Sequence, residues 1–191
     1  MLHAIDMMRQ HVKSDVRLHG IIKDGGLIPN TVPEKASCEY YVRALHKEYA
    51  DEVQERVDDC AKGAALATQT SVEKISSTKS YSDLKRNEAG LRCLQEVFKE
   101  LNLPLDTDSN RVFASTDAGN VSYVCPTFHP CLAIAPAGTP LHTPEFAKYA
   151  ASDNAKNAIK TGALIIGLQA LKIFKSENLL QLIQDDHKRS L

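Results

Sequence analysis

The sequence predicts a mixed chain, α+β and then α/β: helices layered on a sheet with one free face over residues 1–79, followed over residues 80–191 by a second unit that reads as part of a larger α/β domain. Three observations carry this reading. Residues 16–23 and 38–44 alternate apolar and polar side chains, residues 45–67 carry a helical stripe, and the pattern changes character around residues 80–87.

The first segment, residues 4–13, reads as a short helix. In the strand that follows, Val16, Leu18 and Ile22 fall on one face and Arg17, His19 and Lys23 on the other, as a half-covered strand requires. Asp24-Gly25-Gly26, Pro29-Asn30 and Pro33 mark a turn-rich connection. In the second strand Cys38, Tyr40 and Val42 point inward, so Arg43 shares the open face with His19. Tyr49, Val53, Val57, Cys60 and Ala64 then recur at three and four residues, the stripe of an amphipathic helix. Residues 71–79 read as a further strand. Helix, strand, strand, helix, strand is the order of a ferredoxin-like layer lacking its first strand, with helices on one sheet face and the other open to ligands.

The second unit starts with a helix marked by Leu91, Leu94, Phe98 and Leu101 and ended by Asn102 and Pro104. Residues 111–119 are small and polar. Residues 121–134 are apolar but interrupted by Pro126 and Pro130, which suggests short strands joined by turns. Thr143 is a good N-cap, with Pro144 at the first helical position and Glu145 at the positive helix end. A last helix near residues 155–174 contains the longest apolar stretch, residues 163–174; broken by Gln169 and Lys172, it is too short to span a bilayer and reads as a buried helix.

Composition narrows the function. With 191 residues, 43% hydrophobic and 25% charged, the chain can bury a sizeable core, and a formal net charge of -1 leaves no electrostatic footprint for nucleic acid or an anionic membrane. The first residues lack the basic start, apolar centre and cleavage site of a secretory signal, so a cytoplasmic location is expected. Cys38, Cys60, Cys93, Cys125 and Cys131 are odd in number and scattered, which suits reduced, mostly buried thiols better than a disulfide framework or a zinc knuckle.

Three groups of residues could carry chemistry. Asn30 and Arg43 together could bind a carboxylate or a tetrahedral oxyanion through a planar guanidinium and an amide donor; alternatively they are a loop-stabilising asparagine and a solvated sheet-face arginine. Residues 115–122, STDAGNVS, could bring backbone N–H groups close to a ligand ahead of an apolar strand, or form an Asx-type turn. His142, in GTPLHTPEFA just outside a helix start, is accessible enough to be a metal ligand, though no H-x-x-x-H or C-x-x-C accompanies it. His129, between Phe128 and Pro130, reads as a packed turn histidine, while His3, His11, His46 and His187 read as surface residues.

Taken together, HGIIKDGGLIPNTVPEKASCEYYVRA, STDAGNVSYVCPTFHP and LHTPEFAKYAAS resemble, in order and approximate spacing, the second half of the zinc-dependent amidohydrolases and peptidases of the aminoacylase and carboxypeptidase G type, the M-twenty metallopeptidases, and within them a dipeptidase branch. The resemblance covers nearly all of the chain. It implies a ferredoxin-like lid and dimerisation domain over residues 1–79, followed by the C-terminal part of a metallopeptidase α/β catalytic domain over residues 80–191. It further implies that Asn30 and Arg43 grip the substrate carboxylate or the tetrahedral intermediate, that Thr116, Asp117 and Gly119 line the substrate pocket, and that His142 is the last metal ligand. The implied substrate is a dipeptide or N-acyl-amino acid, the implied metal zinc or manganese, and the implied partner a second copy docked through the lid. The family's other metal ligands and its glutamate general base have no counterpart in this sequence, so the chain is expected to be inactive alone and not to hold the metal stably. The alternatives are a non-catalytic dimerisation or interaction module derived from the family, or a stand-alone ferredoxin-like binder, which leaves residues 80–191 unexplained.

Overall fold

The computed structural model describes residues 1–76, 78–106 and 115–190, and the chain divides into two compact units, Met1–Asp83 and Leu84–Leu191. The first unit begins with helix α1 (Leu2–Met8) and a 3-10 turn (Arg9–His11), then strands β1 (Arg17–Asp24) and β2 (Ser37–Arg43), and helix α2 (Lys47–Thr68). The strands pair antiparallel, with Leu18 opposite Val42, Gly20 opposite Tyr40 and Ile22 opposite Cys38. Alternation turns these residues to one side, where Leu18 joins Ile5 and Met8 of α1, Val16, and Val53 and Val57 of α2 in a buried cluster flanked by Tyr40, Val42, Tyr49 and Cys60. The Tyr40 ring lies directly over Gly20, where any Cβ would collide with it at 2.3 Å. That close approach is why a glycine interrupts the apolar face of β1.

Residues 71–79 were expected to add a strand, and the described residues among them form none; among the described residues the sheet has two strands. Val72 and Ile75 are 50% and 75% exposed, so neither meets a covering layer, and a strand without a paired neighbour has no ladder to hold it. The α2 helix stops because Gln69 takes a left-handed φ of 53° and the N–H of Thr70 turns back to the Ala65 carbonyl at 3.0 Å.

The described residues of the second unit are helical where they are regular: α3 (Glu88–Glu100), α4 (Ala118–Ser122), α5 (Pro144–Ala150), α6 (Asp153–Lys175) and α7 (Glu177–Ser190). Leu94, Val97, Phe98 and Ile165 form its buried cluster, edged by Leu91, Leu101, Leu103, Leu132 and Leu168. The short strands expected over residues 121–134 are absent: α4 occupies their start, and no ladder forms beyond it, since Pro126 and Pro130 each remove a backbone donor. Residues 111–114 of the polar segment lie outside the described residues. Helix α7 was not anticipated, although Ser176, whose Oγ accepts the Leu179 N–H at 3.2 Å, and Glu177 provide an ordinary helix start.

The apolar stretch at residues 163–174 is helical but not buried as expected. Ile165 and Gln169 are buried on one side, whereas Leu164, Ile166, Leu171 and Phe174 on the other side are 57%, 66%, 47% and 85% exposed. A helix apolar all round needs neighbours all round, and the described residues of its unit cover only one side. No helix among the described residues is long and apolar enough to cross a membrane.

Candidate functional site

In the first unit the outer face of the hairpin carries Arg17, His19, Ile21 and Lys23 from β1 and Glu39, Tyr41 and Arg43 from β2. Arg43 stands directly opposite Arg17, and His19 opposite Tyr41. The two guanidiniums differ in what they hold. Arg17 Nη1 donates to the carbonyls of Ser14 and Val16 at 2.6 and 2.8 Å, so that side chain ties down its own approach segment. Arg43 is exposed and has no hydrogen-bond or ion-pair partner among the described residues. Two like charges facing each other across a ladder repel; a carboxylate arriving beside them relieves the repulsion and offers the two oxygens that a guanidinium fork takes.

Asn30 does not share that end of the hairpin ladder. It lies in the exposed turn at residues 29–30 of the connection that leaves the sheet beyond Asp24 and Ser37, and the length of β2, about 20 Å at roughly 3.3 Å per residue, separates that edge from Arg43. No contact joins the two side chains.

In the second unit, Thr116 Oγ1 accepts the Ala118 N–H at 3.3 Å, and the Gly119 N–H bonds the Thr116 carbonyl at 3.2 Å. This is a hydroxyl-closed turn feeding a short helix, whereas the sequence suggested a loop before a strand. Serine, threonine and aspartate favour such local bonds over extended structure. Gly119 is buried with its N–H already used, while Asp117 is exposed at the helix entrance, where its Oδ1 meets the Thr116 hydroxyl at 3.5 Å. Of the three candidate pocket residues, Asp117 presents the group most open to solvent.

His142 is exposed, with a left-handed φ of 60°. For a residue with a Cβ this conformation costs about 1–3 kcal/mol, and it recurs where function fixes the backbone. The strain is held by the helix start beside it: Thr143 Oγ1 accepts the Phe146 N–H at 3.1 Å and donates to the Pro140 carbonyl at 2.9 Å. The cap that the sequence indicated therefore also sets the posture of the histidine. Among the described residues no group of three or more His, Cys, Asp or Glu side chains is placed to hold a metal ion.

Three other expectations change. His129 is exposed rather than packed; its neighbour Phe128 is half-buried, its ring lying where a Cβ on Gly90 would stand. All five cysteines are free, but only Cys93 is buried, and that burial pushes its thiol pKa up. His187 is not a surface residue but is 9% exposed, with Nε2 2.8 Å from the Ser122 carbonyl. Around it lies a buried polar set: Asn87 caps Gly90 and donates to the Ile183 carbonyl at 2.8 Å, and Gln169 donates to the Gly90 carbonyl at 3.1 Å. Asp186 accepts the Ala89 N–H at 3.1 Å, which holds its carboxyl below the usual carboxylate range. Only the Asn87 cap has a signal in sequence, a helix-starting asparagine before Glu88; the rest are long-range pairings.

No protein-family model matches the chain. The chain is similar to the Xaa-Arg dipeptidase of Homo sapiens, 31% identical over 190 residues that make up 98% of this chain and 43% of that protein. It is similar also to the Xaa-Arg dipeptidase of Mus musculus, 31% identical over 192 residues, 98% of this chain and 44% of the relative. A p-aminobenzoyl-glutamate hydrolase subunit of Escherichia coli (strain K12) is 25% identical over 247 residues, 99% of this chain and 51% of the relative. The chain thus spans about half, or slightly less, of the length of the curated relatives it matches. Their names are those of a dipeptidase and of a p-aminobenzoyl-glutamate hydrolase subunit.

Proposed function

We propose that this chain is the C-terminal portion of a metal-dependent dipeptidase or N-acyl-amino-acid amidohydrolase, and that it supplies the grip on the substrate carboxylate. The observation that carries this reading is Arg43: an exposed guanidinium without a partner among the described residues, set opposite a second arginine already bound to its own backbone. The similarity to two Xaa-Arg dipeptidases supports the reaction class and suggests a dipeptide ending in a basic residue. The motif resemblance points the same way, to the branch called peptidase M-twenty domain-containing protein 2, or β-alanyl-lysine dipeptidase.

In this reading the hairpin with its two covering helices belongs to a ferredoxin-like lid that also docks a second copy, and Asn30 contacts substrate from the loop side. Thr116, Asp117 and Gly119 wall the pocket, and His142 offers an imidazole to zinc or manganese. Such a metal would supply a water activated for attack on the amide carbonyl. The described residues do not build a site for it, since one imidazole falls short of the three protein ligands a catalytic zinc takes. What this chain contributes is orientation of the substrate and one donor, so it is inactive by itself. The free thiols fit a reducing compartment, and we assign it to the cytoplasm.

A second reading is a non-catalytic dimerisation or interaction module, favoured by the exposed apolar side of α6. Hydrolysis of β-alanyl-lysine and of an arginine-ended dipeptide, with added zinc or manganese, tests both readings. The 191-residue chain alone is expected to release no free amino acid. Robust turnover would overturn the claim that its active site is incomplete. Recovery of turnover on adding the N-terminal half of a related dipeptidase would overturn the module.

A further inference from the structure

The turn that carries Thr116, Asp117 and Gly119 is too short to hold itself. Helix α4 has five residues, and a helix that short makes fewer bonds than nucleation costs, so its shape depends on what grips it from outside. One such grip is at Ser122, which is 0% exposed. Its Oγ donates to the Gly119 carbonyl at 2.6 Å and accepts the Lys85 N–H at 2.8 Å, and its own carbonyl, left over at the end of α4, lies 2.8 Å from Nε2 of His187 on α7. A carbonyl only accepts, so Nε2 carries the hydrogen. Lys85 adds a second hold, its ammonium lying 4.4 Å from the ring centre of Tyr123.

We propose that His187, acting through Ser122, is a positioning residue: it fixes the turn at residues 116–119 in the shape in which that turn meets substrate. This rests on the pocket-wall role proposed above for Thr116, Asp117 and Gly119. Ser122 has no spare group with which to replace the imidazole, because it spends its hydroxyl on Gly119 and Lys85. Losing the ring leaves the Ser122 carbonyl buried without that donor and releases the end of α4.

The test is amide NMR on the whole chain. In His187→Leu the amide signals of Thr116, Asp117, Gly119 and Asn120 should shift, and exchange at Gly119 and Asn120 should quicken about tenfold or more. His187→Gln, which keeps an N–H donor, should restore most of the protection. Ile183→Ala, on the same helix and 3% exposed in the parent, should lower the melting temperature while leaving those four amides in place. Unchanged loop amides in His187→Leu, or equal loop changes in Ile183→Ala, would overturn the proposal. If His187→Leu does not fold, the imidazole 15N spectrum of the unmodified chain decides: a protonated, slowly exchanging Nε2 supports the bond, and an unprotonated Nε2 overturns it. Titration with β-alanyl-lysine separates the two layers of the argument. If the loop keeps its dependence on His187 but its amides ignore the dipeptide, the pocket-wall role fails, while the hold of α7 on the turn stands.

Discussion

The outer face of the hairpin and the turn at residues 116–122 are both candidate binding surfaces, built in opposite ways. Arg43 rides on a ladder whose other side is already fixed by Leu18, Val53 and Val57, so the packing that shapes the surface is separate from the groups that face solvent. Thr116 and Asp117 lead into a five-residue helix that Ser122, Lys85 and His187 help to hold. A sheet gives a site a rigid floor at no cost to its chemistry. A short turn obtains its rigidity from buried polar bonds, each of which loses most when one partner is removed.

The largest expected effect is on the hairpin's hidden side. Leu18→Ala, at a position 2% exposed, should cost about 2–5 kcal/mol by denaturant titration. A loss below about 1 kcal/mol would mean that the floor is not set by its core.

Gly90→Ala comes next and sets two forces against each other. Alanine favours a helix by about 1 kcal/mol, but its Cβ would fall 1.8 Å from Cε1 of Phe128, and displacing a packed ring costs about 1–3 kcal/mol. A net loss of stability is expected; a gain would show that the ring swings aside freely.

Asp186→Ala is a smaller perturbation, about 0.5–2 kcal/mol at neutral pH, since it removes an acceptor from the start of α3. The folded-state pKa of Asp186 is lowered, mainly by the Ala89 N–H. Its contribution is therefore complete above the unfolded-state value of a carboxylate and is lost as the pH falls through the lower folded-state value. The melting-temperature gap between Asp186→Ala and the unmodified chain should close at acid pH. A gap independent of pH would remove the charge from the explanation.

How much was legible in sequence follows the same division. The hairpin, with its inward Leu18, Tyr40 and Val42 and its outward Arg43, and the helices α2, α3 and α6 are periodic signals that each residue repeats for its neighbours. The Thr143 cap was legible because capping is local. Residues 71–79 read as a strand, but a strand exists only beside a partner, and partners are not written in the segment itself. The burial of His187 was illegible for a related reason: it faces a carbonyl sixty-five positions away, and nothing in the local sequence marks that pairing. The exposed side of α6 was misread because an apolar run states what a helix could bury, not what lies against it.

Calorimetric titration of β-alanyl-lysine into the chain, into Arg43→Ala and into Arg17→Ala tests the carboxylate grip most directly. A guanidinium bonded to a carboxylate contributes about 1.5–3 kcal/mol, so Arg43→Ala should weaken binding about tenfold or more, while Arg17→Ala, whose guanidinium is occupied by the carbonyls of Ser14 and Val16, should stay within about twofold. Equal losses in the two variants, or no binding by the unmodified chain, would contradict the role assigned to Arg43.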